Sequence, residues 1–509
     1  MTSLSQALSL FDDAKVQRFS KICNTFNDLS VKKHSILDLN QVLCAKTTEI
    51  NTFITNCEWL LRFLFVPLHR IYIIGMRVLI VNTSERTGGA AVAANRLMEA
   101  LNNNGVKAKM LVRDKETTNL SVCALPQTWQ VRWNFLWERL CIWLHLRLKR
   151  EHLFEIDIAN CGTDITSLPE FKETDIIHLH WINQGMLSLK VISKILQSGK
   201  PVVWTMHDIW PATAICHLTM DCRRFETQCQ NCRLLPGGGS ANDLSARIWK
   251  RKQQMLEGKR VTIVTCSEWL GSEAKKSALL SQQYITTIPN PIDTHRYRPS
   301  DKKKARQALG LPLDGHIILF ASQRVTNPNK GMQYLIEACK LMVSEHPDSC
   351  DNTSVAILGG HAEEIAHLLP FPTHALGYVN DEQRIVSVYN AADVFVLPSL
   401  SENLPNTIME AMACGVPSVG FHVGGIPEMI DHLSNGYVAN YRDAADLAKG
   451  IYYVLCEARQ EDMRHNCLQK VAHNYSQQSV AKRYIELYES LKNKTTTKTT
   501  KTTFNNKNR

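Results

Sequence analysis

Two carboxylates eight residues apart, Glu402 and Glu410, stand in the stretch DVFVLPSLSENLPNTIMEAMACGVPSVGFHVGGIPEMI, residues 393–430. Ionised, such a pair accepts hydrogen bonds from the hydroxyls of a bound polyol. Taken singly, Glu402 reads as a helix cap and Glu410 as a solvated surface charge. Arg324 and Lys330 are cations in one loop, and Lys330-Gly331 opens a helical pattern. Placed there they neutralise a departing anion such as a diphosphate, although surface cations more often serve solvation. Gly88-Gly89 offers backbone N–H groups to an anion, or is a tight turn. His207-Asp208 directly follows an apolar run, where it either enters a cleft or caps and packs. Cys216, Cys222, Cys229 and Cys232 follow a C-x5-C-x6-C-x2-C spacing, and four thiolates with a terminal C-x2-C suit a structural zinc.

The elements that must position these residues are short and buried. Val394–Leu397 reads as a strand, residues 398–403 break it, and Pro405 suits a first helical turn. Ile408, Met409, Ala411 and Met412 carry a helical spacing that Gly415 stops. Glu402 then lies at a strand's carboxyl end and Glu410 inside the next helix. A strand over residues 417–420 leads to Val423-Gly424-Gly425, a backbone able to approach a ligand closely. MRVLIVNT from Met76 reads as a first buried strand, followed by a Gly-rich turn and a helix. DIIHLH (175–180) places His178 and His180 on one face of a strand, where such histidines are mostly structural. Further strands are expected over 201–205, 316–321, 355–358 and 375–378. Alternating strands and helices predict an α/β protein of two doubly wound Rossmann-like domains facing a cleft, with ligands outside the strands' carboxyl ends.

The chain has 509 residues, 44% hydrophobic and 21% charged, the balance of a soluble globular protein. Of the formal net charge of +10, six come from Lys492, Lys494, Lys498, Lys501, Lys507 and Arg509, a low-complexity Lys/Thr/Asn tail without acids. The rest is mildly basic, and no basic helix interleaved with stacking aromatics marks a nucleic-acid reader. Sixteen cysteines, several inside apolar patterns, fit free thiols in a reducing cytosol rather than a secreted framework. No signal-peptide pattern opens the chain. Residues 1–75 read as a nonessential extension, with Met76 as the alternative start; its apolar segment 58–75 is too interrupted to span a membrane, and a membrane surface is the other reading. Residues 127–150 carry Trp129, Trp133, Trp137 and Trp143 among Arg132, Arg139, Arg147, Lys149 and Arg150. Such a helix either lies at an anionic headgroup boundary or packs on the first sheet.

The order E-x7-E with EAMACGVP and GGIPE resembles retaining GT-B glycosyltransferases of family GT4. The TMHDIWPAT…C…C…C..C layout is similar to members that assemble colanic acid or capsular polysaccharide. The likeness covers residues 76–490. It implies domains at 76–288, with a Cys-rich insert at 216–232, and at 289–474 beyond the junction IPNPID. A helix at 475–491 crosses back to the first domain, leaving a disordered tail at 492–509. It implies a nucleotide-diphosphate sugar donor and a hydroxyl acceptor, a glycan or lipid-linked; the Trp/Arg stretch 129–150 and the mildly basic fold suggest a cytoplasmic enzyme peripheral to the inner face of the plasma membrane. Lys330 and Arg324 would stabilise the leaving diphosphate with Gly88 and Gly89. Glu402 would hold sugar hydroxyls, Glu410 the ribose, and His207 the sugar near the reacting carbon. Asn403, Leu404, Pro405 and Asn406 would line the donor site, with Asn403 where many relatives have Gly. No D-x-D triplet occurs, so no catalytic metal is expected. A GT-B epimerase and a non-catalytic nucleotide-sugar or glycan binder are the alternatives.

Overall fold

In the computed structural model, residues 75–126, 128–347 and 351–505 are described, with side chains through Asn493. Most of the expected extension (1–74) and the last four tail residues lie outside that range. The described residues fall within one compact unit, Ile73–Arg509.

Seven strands form the first sheet: β1 (Arg77–Ser84), β2 (Lys107–Asp114), β3 (Val122–Ala124), β4 (Ile176–Leu179), β5 (Val202–Met206), β6 (Thr262–Thr265) and β7 (Tyr284–Thr287). They run in the order β3-β2-β1-β4-β5-β6-β7, all parallel. The second sheet holds β8 (His316–Arg324), β9 (Thr353–Gly360), β10 (Thr373–Gly377), β11 (Val394–Leu397), β12 (Ser418–Phe421) and β13 (Gly436–Ala439). Its order, β10-β9-β8-β11-β12-β13, is again wholly parallel. Both sheets are doubly wound, as the alternation of apolar runs and helical patterns predicts. The helices that matter below are α1 (Gly89–Asn103), α2 (Trp129–His145), α3 (Leu244–Leu256), α4 (Glu268–Lys276), α5 (Met332–Glu345), α6 (Glu382–Ala391), α7 (Asn406–Ala413), α8 (Gln460–Asn474) and α9 (Gln477–Asn505).

Parallel strands covered on both faces must be apolar throughout, and β4, β5 and β11 are buried at every position. One face of the first sheet packs Leu79, Ile177 and Trp204 against Ile192 and Ile248; the other packs Ile80, Ile176 and Val203 against Leu97, Tyr484 and Tyr488. Tyr484 and Tyr488 belong to α9, which lies on α1. The chain therefore leaves the first domain at residues 289–293 and returns at 475–477. The two passages are hydrogen-bonded to each other, Ile292 N to Tyr475 O at 2.8 Å and Gln477 N to Ile292 O at 3.0 Å. Tyr488 OH meets His178 Nδ1 at 2.7 Å and Tyr484 OH meets Thr205 Oγ1 at 3.0 Å, which ties the returning helix into the buried sheet. The backbone of α9 runs on to Asn505, so the Lys/Thr segment read as a disordered tail continues the helix; no Gly or Pro between Gln477 and Asn505 interrupts it.

Candidate active site

In a doubly wound sheet, the two loops that leave in opposite directions at the reversal of strand order open a crevice. Here the reversals fall between β1 and β4 and between β8 and β11. Gly88-Gly89 follows β1, Arg324 ends β8 with Lys330 just beyond, and Glu402 follows β11. Gly89, Arg324, Lys330 and Glu402 line one cleft of about 980 Å³, together with His207, Asp208, Asn290 and the loop 400–407. Of the residues singled out from sequence, Gly89, His207, Arg324, Lys330, Glu402, Asn403, Leu404, Pro405 and Asn406 come together there. Gly88, with φ +93, caps α1 beside them, and Cβ-free space surrounds it.

Lys330 sits in a short turn, Pro328–Lys330, capped by the Asn327 side chain. Its Nζ donates to Glu402 Oε1, which joins cation and carboxylate at the cleft. The next residue, Gly331, takes φ +70, and a Cβ there would strike the Pro398 carbonyl. Asn329 holds the same loop, accepting from Leu400 N at 2.8 Å and donating to Ser401 O at 2.9 Å. Arg324 Nε donates to Thr326 Oγ1 at 3.1 Å, and the side chain is exposed in the cleft. The α1 and α7 N-termini also reach the cleft, where Asn406 Nδ2 donates to Gly89 O at 3.0 Å. Unpaired helix N–H groups favour anions there.

Two placements differ from the sequence expectations. Val423 lines the cleft, but Gly424 and Gly425 do not. A Cβ on either would strike the carbonyls of Glu402 and Asn403, so these glycines let the chain pack beneath the cleft loop. Glu410 is neither solvated nor in the cleft lining: Arg96 Nη2 donates to its Oε1 at 2.6 Å and Tyr389 OH to its Oε2 at 2.8 Å. The Cys-rich insert brings its thiols near enough to interact: Cys216 with Cys222 and Cys232, and Cys229 with Cys216 and Cys222. Cys216, Cys222, Cys229 and Cys232 are free thiols, and among the described residues no three His, Cys, Asp or Glu groups stand placed to hold a metal ion. Burial pushes the Cys216 and Cys229 thiols up to about 12.

His207 forms a wall of the cleft rather than a free base. Its Nε2 lies 2.9 Å from His180 Nδ1 and its Nδ1 3.6 Å from Cys266 Sγ. Burial pulls the imidazole down to about 4, against the opposing effect of Asp208. It is neutral at physiological pH, and its carbonyl accepts from Asn403 Nδ2 at 3.1 Å.

Sequence reasoning missed His217, the residue after Cys216. It lines the cleft with its Nδ1 2.7 Å from Asp208 Oδ2 and its Nε2 2.6 Å from Asp157 Oδ2. Burial alone would lower its pKa, but Asp208 and Asp157 outweigh that and raise it to about 10. Asp157 also accepts from Arg139 of α2. No local pattern announces this site, because Asp157 lies 60 residues away. Asn290, in the linker, also reaches the cleft and donates to Asn406 Oδ1 at 3.2 Å.

A histidine whose folded pKa is raised from 6.5 to about 10 contributes stability that is fully present below about pH 6.5 and lost as pH rises through about 10. In urea unfolding from pH 6 to 10, the parent's stability should therefore fall with pH relative to that of His217→Gln, which lacks this contribution. Superimposable pH profiles would contradict the charged His217.

With that geometry in place, the chain can be set beside known proteins. Residues 87–296 match the family model described as Glycosyltransferase Family 4, and residues 315–457 the model described as Glycosyl transferases group 1. D-inositol 3-phosphate glycosyltransferase 2 of Catenulispora acidiphila is 30% identical over 203 residues, 37% of this chain and 46% of the relative. The D-inositol 3-phosphate glycosyltransferase of Saccharomonospora viridis is 26% identical over 54% of this chain and 61% of its own. The match thus spans about half the length of these two relatives. An uncharacterized glycosyltransferase of Methanocaldococcus jannaschii is 26% identical over 66% of this chain and 89% of its own. Among solved structures, the sucrose-phosphate synthase of Thermosynechococcus elongatus superposes with a TM-score of 0.57 at 18% identity, covering 82% of this chain and 99% of that one. Anabaena HepE in complex with UDP and glucose gives 0.54 at 17% identity, over 82% and 100%. These likenesses show the fold, two Rossmann-like domains in the GT-B arrangement. By the two family models, one matched in each domain, the chain belongs to the group 1, family 4-like glycosyltransferases.

Proposed function

We propose that this chain is a retaining glycosyltransferase that moves a sugar from a nucleotide-diphosphate sugar to a hydroxyl acceptor. The observation that carries the reading is the meeting of Lys330, Arg324 and Glu402 with the α1 N-terminus in one cleft, at the reversal points of both sheets. The HepE structures with UDP, with UDP and glucose, and with UDP-glucose support a donor of that class. As the bond from the sugar's anomeric carbon to the diphosphate oxygen breaks, negative charge grows on the leaving group. Lys330 and Arg324 stabilise it, helped by backbone N–H groups at Gly88-Gly89. Glu402, fixed by Lys330, accepts from the donor sugar's hydroxyls, and His207 shapes the wall beside the reacting carbon. The acceptor oxygen bonds to the same face of that carbon and passes its proton to the departing diphosphate.

The acceptor reading rests on α2. Its buried face carries Asn134, Glu138 and Arg139 beside Val131 and Ile142. Its exposed face carries Trp129 (78% exposed), Trp133 (50%), Leu136 (55%) and Leu144 (57%). An apolar face turned outward, flanked by exposed Arg132, Arg147, Lys149 and Arg150, suits an anionic lipid surface and hence a lipid-linked acceptor of polysaccharide assembly. No described helix is long and apolar enough to cross a membrane.

Nucleoside diphosphate should be released from a nucleotide sugar only when an acceptor is present, which separates transfer from passive binding. Lys330→Ala should lower turnover by about two orders of magnitude or more, and Glu402→Gln should lower it too. Near-normal rates in both variants would remove the chemistry from this cleft.

Vesicle sedimentation should show binding to phosphatidylserine vesicles that weakens with salt and falls in Trp129→Ala/Trp133→Ala. Equal binding to neutral vesicles, or none to either, would contradict the α2 surface.

A further inference from the structure

The second carboxylate of the E-x7-E spacing does not face the cleft; it crosses between the domains. Glu410 is on α7 of the second domain and Arg96 on α1 of the first, and their side chains are 11% and 7% exposed. Tyr389 of α6 donates to the other oxygen of Glu410, so both oxygens are occupied. The Arg96 guanidinium also lies 4.9 Å from the ring centre of Tyr297, just past the linker. The two helices meet at the cleft floor through Asn406 and Gly89, and the ion pair sits one to two turns behind that contact.

We propose that Arg96 is a positioning residue: by holding Glu410 it fixes α7 against α1 and so sets the width of the cleft. This rests on the transferase reading for its consequence in turnover, but not for its geometry. The two helices carry the Gly88-Gly89 and Asn403–Asn406 ends of the proposed donor site. A shift of one against the other opens the diphosphate-binding end, at the cost of donor affinity first. A buried ion pair resists such a shift, because separating the partners leaves each charge desolvated and alone.

The test is a double-mutant cycle of Arg96→Met, Glu410→Met and the pair, read by thermal melting and small-angle scattering, with UDP affinity measured by calorimetry. Each single variant should melt well below the parent. The double variant, with neither charge buried alone, should melt above the value that adding the two losses gives. The Arg96→Met radius of gyration should rise, UDP affinity should fall about tenfold, and Arg96→Lys should recover part of both. For any donor that turns over, KM should rise more than kcat falls. Additive melting losses with an unchanged radius and unchanged UDP affinity would overturn the proposal. Coupled melting and a changed radius in a protein that transfers no sugar would uphold the strut and reject the transferase reading instead.

Discussion

Between Leu397 at the end of β11 and Asn406 at the start of α7 the chain has no helix or strand of its own, yet it carries the residues on which the cleft turns. It is held from outside. Asn329 takes both an N–H and a carbonyl of the loop, Tyr441 OH donates to Leu400 O at 3.1 Å, and Gly331, Gly424 and Gly425 let neighbouring backbone press against it. From the other domain, Ser267 Oγ donates to Asn403 Oδ1 at 2.6 Å while Asn403 donates onward to His207 O. Glu428 extends the same grip, accepting from Glu268 N and Trp269 N at the start of α4 at 2.8 and 2.6 Å. A loop without internal hydrogen bonding pays its ordering entropy only if such contacts are made, so the loop and the domain closure stand or fall together.

The first domain buries Glu138, Arg139, Asp157 and Lys252 behind the opposite wall. Lys252 of α3 has its Nζ 3.3 Å from the Trp210 ring centre and donates to Trp210 O and Thr213 O at 2.6 and 3.0 Å. Burial lowers it to about 7. Glu138 accepts from Ala159 N at 2.6 Å and is raised to about 7 by burial and by Asp157. Buried ions are costly unless paired and hydrogen-bonded. Here the pairs join α2, the segment around Asp157 and the Cys-rich insert, which itself forms no regular element beyond short turns. This charged core leaves the Trp and Leu side chains of α2 to face outward.

The two-domain plan and most of the cleft were legible in the sequence because their signals are local. The β11 strand, the Pro at the head of α7 and the stop at Gly415 follow from residue types within a few positions of each other. His207 directly follows such a strand, Lys330 and Glu402 stand in the loops beyond two others, and the family resemblance singled them out. Glu410 could not be placed, since its partner Arg96 lies 314 residues away and the spacing alone suits either a ligand or a strut. Gly424-Gly425 announced a close approach but not what approaches; the structure supplies its own Glu402 and Asn403 carbonyls. The Trp pattern of residues 129–150 left core and surface open, and Arg139 pairing inward with Asp157 decided the orientation.

Hydrogen–deuterium exchange with and without a saturating nucleotide-diphosphate sugar tests most directly that both domains converge on one donor site through the 398–405 loop. Amides whose opening is suppressed by a ligand lose exchange in proportion to the binding free energy. The account predicts protection gathered in residues 88–92, 324–332 and 400–409, on both sides of the cleft at once. Protection confined to one domain, or absent from the 400–409 segment, would contradict it.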